Sequence, residues 1–174
     1  MPSQVEPEAL RTAMSRFPTA VTVVTAIGPS GPAGATANAV ASLSLEPPMM
    51  LACLDLGSRT LVAVEHGRAF GINVLAAGQA ELARRFSTKD PHPQKWDGVR
   101  WGERAGVPMI HGALVWLACE LREVHDGGDH VIATGPVIEL EATDGDPLIF
   151  HRGEYQPLAA ATPPSSRPAG PAAR

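Results

Sequence analysis

From Phe17 to Ser44 the chain runs 28 residues without a charged side chain, and the first charge beyond it, Glu46, precedes Pro47-Pro48. The second half of this stretch separates by parity. Thr36, Asn38, Val40, Ser42 and Ser44 fall on one side; Ala37, Ala39, Ala41, Leu43 and Leu45 fall on the other. Successive side chains of an extended strand point to opposite faces, so the segment predicts one apolar face and one face of neutral hydrogen-bonding groups. A strand facing water ordinarily carries Lys, Glu or Arg on its polar side. Small neutral donors and acceptors suit a flat polar ligand lying on the sheet, or a second subunit.

At 174 residues the chain can bury one real core and is short for two domains. Fourteen basic residues against 18 acidic ones give a net charge of −4, which argues against nucleic acid as a partner. The opening MPSQVEPEAL lacks a basic region followed by an apolar run, and no apolar stretch reaches the length of a membrane span. A cytoplasmic protein is expected, with no membrane contact. Cys53 and Cys119 lie in the apolar runs MMLACL and LVWLACEL, as reduced core thiols would.

Residues 6–16 have helical spacing, with Leu10, Met14 and Phe17 on one side. TAVTVVTAI reads as a strand, GPSGPAG as a turn, and TANAVASLSL and PPMMLACLDL as two further strands. Ser58 caps a predicted helix through RTLVAVEHG, FGINVL is a buried strand, and AAGQAELARRFS is helical. The stretch 87–111 is a long basic and aromatic excursion, of the kind that is functional or disordered. GALVWLACELREVH and DHVIATGPVIELEA flank Asp126-Gly127-Gly128, a hairpin signal, with Val115, Leu117, Cys119 and Leu121 as the apolar parity of the first arm. PLIFHRGEYQPL reads as two short strands about Arg152-Gly153. The Pro/Ala-rich residues 159–174 predict a disordered tail, leaving residues 1–158 as the domain. Many strands and few helices favour a closed antiparallel barrel with helical decorations.

Asp55 and then Ser58-Arg59-Thr60 place backbone N–H groups, hydroxyls and a guanidinium at a helix start, which suits an anion. An ordinary serine cap beside a solvent arginine explains the same residues. Six of the 14 basic residues (Arg84, Arg85, Lys89, Lys95, Arg100 and Arg104) cluster in the following segment, which favours a phosphate, although Asp90, Asp97 and Glu103 lie among them. His130 opens a strand after the glycine turn and serves either as a structural residue or at the ligand face. Strand neighbours point to opposite faces, so Asp129 is not expected to orient it. No Gly-rich dinucleotide fingerprint, zinc spacing or nucleophile elbow is present, and no metal is expected.

Taken together, RFPTAVTVVTA, GATANAVASLSLEPPMMLACLD followed by SRT, FGINVLAAGQAELARRFS, KWDGV, GGDHVIATGPV and HRGEY resemble the flavin reductase family, from about Leu10 to Leu158. These are the small reductases of two-component flavin monooxygenases, with the FMN-binding split-barrel fold. The resemblance implies a mostly β, antiparallel split β-barrel of Greek-key type with a few peripheral helices. It also implies an NAD(P)H:flavin oxidoreductase that takes FMN or FAD, uses NADH or NADPH as hydride donor, and supplies a separate oxygenase. Carried over by position, Thr36, Ala37, Asn38 and Ala39, with Ser42 on the same segment, would line the isoalloxazine ring. Asp55, Ser58, Arg59 and Thr60 would hold the phosphate, while Arg85, Phe86, Lys95 and Trp96 would bound the flavin. His130 would stand near flavin and nicotinamide as the catalytic residue, and Tyr155 would approach from the closing strand or a partner subunit. The family is homodimeric. Relatives often carry Asn/Ser-Ser-Phe where this chain has Asn38-Ala39-Val40, and Phe in place of Trp96, which leaves FMN against FAD open.

Two other readings use the same residues. One is a flavin-binding or carrier protein without nicotinamide turnover; the other is a structural dimer whose neutral face is a subunit interface.

Overall fold

A computed structural model describes residues 5–90 and 92–158; the expected tail, 159–174, lies outside the described residues. Helix α1 (Pro7–Met14) leads into β1 (Thr19–Ala20) and β2 (Thr22–Gly28). The β-branched run of β2 is covered on both faces, and Val23, Val24, Thr25 and Ala26 are wholly buried. Strand β3 (Gly31–Ala37) returns antiparallel with Gly28 opposite Gly31, so the turn is only Pro29-Ser30 and the rest of GPSGPAG is strand.

The segment TANAVASLSL is not one strand. It breaks at Asn38-Ala39, and β4 (Val40–Leu45) pairs with β5 (Pro48–Asp55). The alternation predicted for it fails in β4, where the register shifts between Ser42 and Ser44 and both Leu43 (47% exposed) and Leu45 (80% exposed) face outward.

Helix α2 (Arg59–Gly67) and β6 (Ala69–Val74) follow, then a 3₁₀ turn at Ala77–Gln79 and α3 (Ala80–Ser87). Residues 87–111 contain α4 (His92–Trp96) and a hairpin of β7 (Trp101–Arg104) and β8 (Val107–Ile110). The hairpin is held from below: Thr25 Oγ1 donates to the Pro108 carbonyl at 2.7 Å, and the Ile110 N–H donates to Asn73 Oδ1 at 2.7 Å. It covers a second face of β9 (Val115–Glu120), so Trp116 and Ala118 are buried as well as Cys119, and no single parity is apolar.

The arm ends at Leu121-Arg122. There β10 (Glu123–Gly127) begins and forms a hairpin with β11 (His130–Ala142), turning through Gly128-Asp129, one residue later than the Asp-Gly-Gly signal. Last come β12 (Leu148–His151) and β13 (Glu154–Pro157), paired about Arg152-Gly153 as predicted.

Every strand pairing is antiparallel, and the main sheet runs β3-β2-β6-β9-β11-β5-β4 with β10 also on β11. Its terminal strands β3 and β4 are consecutive in the chain, joined by two residues, so the sheet must curl until its ends meet. They meet without a ladder between them. A split barrel results, not the closed one that the strand count alone favoured. The core fills it with Val24, Leu54, Leu61, Val64, Phe70 and Ile72, among others. No helix among the described residues is long and apolar enough to cross a membrane.

Candidate functional site

The seam where β3 leaves for β4 is the origin of the site. Asn38 and Ala39 sit exposed in the bend, and the Ala39 carbonyl accepts the Cys53 N–H of β5 at 2.9 Å. A cleft of about 430 Å³ opens along this seam. Its floor is Ala35, Thr36, Ala37, Asn38 and Ala39, and its walls include Cys53, Asp55, His130, Phe150 and Tyr155. Thr36 Oγ1 donates to the Ala83 carbonyl of α3 at 2.7 Å, which ties the floor to that helix. Tyr155 and Phe150 face each other across β12–β13 with ring centroids 5.1 Å apart, and the Arg84 guanidinium lies 5.4 Å above the Tyr155 ring.

A second cavity of about 350 Å³ continues from the first, sharing Ala35, Thr36, Asp55, Ser58 and Ser87, and adds Arg59, Thr60, Lys89 and Lys95. Local sequence builds its rim. Asp55 Oδ1 accepts the Gly57 N–H at 2.7 Å, and the Asp55 carbonyl accepts the Ser58 N–H at 2.9 Å, turning the chain out of β5. Ser58, in extended conformation, then caps α2 by accepting the Thr60 N–H at 3.1 Å. The cap reading and the cavity reading are therefore both met by one turn.

Two groups deep in this cavity lack the partners that burial calls for. Thr60 Oγ1 is buried with no hydrogen bond among the described residues. Lys95 is 5% exposed, and its ammonium donates to the Phe86 carbonyl at 3.3 Å. Burial pushes the Lys95 ammonium below the usual lysine range, Asp90 opposes that shift, and Arg59 adds to it. An anion entering here would satisfy both groups.

His130 stands opposite Asp55 across the β5–β11 ladder. Contrary to the strand-parity expectation, Asp129 Oδ1 does contact His130 Nδ1, at 2.7 Å, because Asp129 belongs to the turn and its side chain is free to swing to the side of His130. The Asp129 carboxyl is held below its usual range, chiefly by the hydrogen bond from His130 and then by that ring's charge.

Not every expected residue reaches the cleft. Ser42 lies on exposed β4 and lines neither cavity. Arg85 donates to the Asp97 carbonyl and lines a different cavity of about 480 Å³ beside Gln79, Arg100 and His111. Phe86 and Trp96 are core: their rings meet edge-to-face at 4.9 Å, Trp96 also packs on Trp101 at 5.1 Å, and Phe86 lies where a Cβ on Gly34 would come within 2.7 Å of it. Of the two, Phe86 also borders the second cavity. Cys53, Ser87 and Phe150 were missed. Cys53 shares the parity of Asp55 on β5 and was readable from it; Ser87 and Phe150 arrive by tertiary packing. The other thiol, Cys119, is buried and its pKa is pushed up to about 12.

The cavities together describe a ligand with a flat uncharged portion and an anionic end. The flavin reductase like domain matches residues 14–159. The chain belongs to the flavin reductase family. HsaB from Rhodococcus jostii, the reductase subunit of a flavin-dependent monooxygenase, is 40% identical over 153 residues, which cover 87% of this chain and 77% of that one. The FMN reductase (NADH) SmoA from Agrobacterium fabrum is 38% identical, covering 89% and 88%. Among solved structures, the NADH:FAD oxidoreductase SgcE6 from Streptomyces globisporus superposes with a TM-score of 0.82 at 36% identity, covering 92% of this chain and 99% of that one. The donor set of the second cavity, with the Thr60 hydroxyl unpartnered among the described residues and the Lys95 ammonium beside it, is of a kind that would suit the anionic end of a flavin nucleotide.

Proposed function

We propose that this protein is an NADH-dependent flavin reductase that binds FMN or FAD at the seam between β3 and β4 and hands reduced flavin to a separate oxygenase. The observation that carries this is the continuous cleft from the neutral bend at Asn38-Ala39 to the cationic, donor-rich end at Arg59, Thr60 and Lys95. A bound flavin supplies the acceptor for a hydride from the nicotinamide. The protein's part is to position two flat rings and exclude alternatives, for which no general base is required. Thr36, Ala37, Asn38 and Ala39 present backbone and small neutral groups to the ring. Ser58, Arg59, Thr60 and Lys95 hold the phosphate, with Asp55 shaping the turn. His130, Phe150 and Tyr155 bound the side where the nicotinamide enters. The names of SmoA, a FMN reductase (NADH), and of HsaB, a monooxygenase reductase subunit, support donor, acceptor and partner.

The protein acts in the cytoplasm as a homodimer. Leu10 (57% exposed), Met14 (51%) and Phe17 (62%) form an apolar stripe on and beyond α1, and Leu43 and Leu45 stand out from β4, surface that a second copy would cover.

Anaerobic mixing with FMN or FAD and NADH or NADPH, following loss of oxidised-flavin absorbance, tests the reading. Rapid bleaching is expected with NADH. Bound flavin that stays yellow with both nucleotides would make the protein a carrier instead.

A further inference from the structure

We propose that Lys95 is a titratable selector in the phosphate end of the cleft: with Lys95 protonated the site favours a phosphorylated flavin, and with Lys95 neutral that preference weakens. The inference rests on the flavin reading above and adds a proton to the binding equilibrium.

Three observations carry it. Lys95 is buried, 5% exposed, on α4, and its only hydrogen bond among the described residues is to the Phe86 carbonyl at 3.3 Å. An ammonium has three donors, so two are left without an acceptor among the described residues. The neighbouring Thr60 hydroxyl, 1% exposed, is also without a partner. Finally, the charged groups lining the same cavity are Arg59 on α2, Lys89 and Asp90 beyond α3, and Asp55 at the end of β5. Asp55 is engaged by the Gly57 N–H. A backbone hydrogen bond leaves that charge in place, so two carboxylates, Asp55 and Asp90, face Arg59, Lys89 and Lys95, and the lining carries one net positive charge that an anion would offset.

The direction follows. Burial and Arg59 lower the proton affinity of Lys95, against the opposing effect of Asp90. A phosphate dianion placed against it restores that affinity, because opposite charge favours the ionised form. Binding therefore takes up a proton wherever the pH lies between the two values, and phosphate affinity falls as pH rises through the lower one. The phosphate is already dianionic above about pH 7, so its own titration does not enter there.

Fluorescence titration of the full chain with FMN and with riboflavin, from about pH 7 to about pH 10, reads this directly. The riboflavin constant carries any titration of the ring, so the ratio of the two isolates the phosphate. The ratio is expected to fall as pH rises, by up to about tenfold, the scale of one charge-assisted hydrogen bond. In Lys95→Met it should be low and flat, and in Lys95→Arg flat and high, because a guanidinium does not titrate there. Calorimetry of the unaltered protein in buffers of different ionisation enthalpy should show proton uptake with FMN and none with riboflavin. A ratio independent of pH, or equal proton uptake with both flavins, overturns the proposal and leaves the flavin reading standing. Failure of both flavins to bind overturns both.

Discussion

Asp129 Oδ1 lies 2.7 Å from Nδ1 of His130, at the wall of the cleft that His130 shares with Asn38 and Tyr155. With Nδ1 engaged, Nε2 is the ring nitrogen left to meet a ligand. His130→Ala should lower kcat/KM for NADH by on the order of tenfold while moving the flavin dissociation constant far less, a split that steady-state kinetics and fluorescence titration read together. The Asp129 carboxyl has a lowered pKa, so its pairing is present above the ordinary carboxylate range and is lost only as pH falls through the lowered value. Asp129→Asn should therefore change the NADH kinetics at neutral pH, with the melting temperature unmoved because the pair is largely exposed.

Thr60→Val exchanges a buried, unpartnered hydroxyl for a methyl of similar shape. Without ligand the variant should be more stable by about 1 kcal/mol, because an unsatisfied polar group has been removed. FMN should bind about tenfold more weakly while riboflavin is unchanged. Thermal melts with and without each flavin check both halves; a variant destabilised without ligand would show that Thr60 has a partner.

Trp96 packs between Phe86 and Trp101, and its indole N–H is buried without a partner among the described residues. Trp96→Phe should cost about 1–2 kcal/mol from lost packing, partly offset by removal of that N–H. FMN affinity should be unchanged. A large loss of flavin binding at unchanged stability would restore Trp96 to the cleft wall.

At Gly135 a Cβ would come within 1.8 Å of the Glu120 carbonyl oxygen, at the place where β11 passes from β5 to β9. Backbone cannot yield as a flexible side chain can. Gly135→Ala should destabilise the protein by about 3 kcal/mol or more in denaturant unfolding. Gly135 lines no part of the cleft, so the molecules that remain folded should bind FMN normally.

The readable half of the site was local. The exit from β5 through Asp55, the Ser58 cap and the start of α2 are made by contacts between residues two or three apart, and short-range chemistry specifies them. The β12–β13 hairpin was readable for the same reason. Lys95 was picked out by resemblance, but its burial was not visible, since α4 alone does not say what will cover it. Arg85 was expected beside Phe86 in the cleft; successive side chains on a helix point about 100° apart, and Arg85 turns to the Asp97 carbonyl while Phe86 turns inward.

By itself the sequence determined most of the strands, the hairpin about Arg152-Gly153 and the Ser58 start of α2, while the two-faced pattern it gave to residues 36–45 did not hold in β4. Alternation, β-branching and turn residues act within a few positions, and those interactions survive the absence of any fold. Only the tertiary structure decided that TANAVASLSL would break at Asn38-Ala39, send its halves to opposite ends of the sheet, and leave a seam there. That break follows from the pairing of β4 with β5 and β3 with β2, contacts whose partners lie elsewhere in the chain, and curling the sheet is what brings its two ends together beside His130 and Lys95.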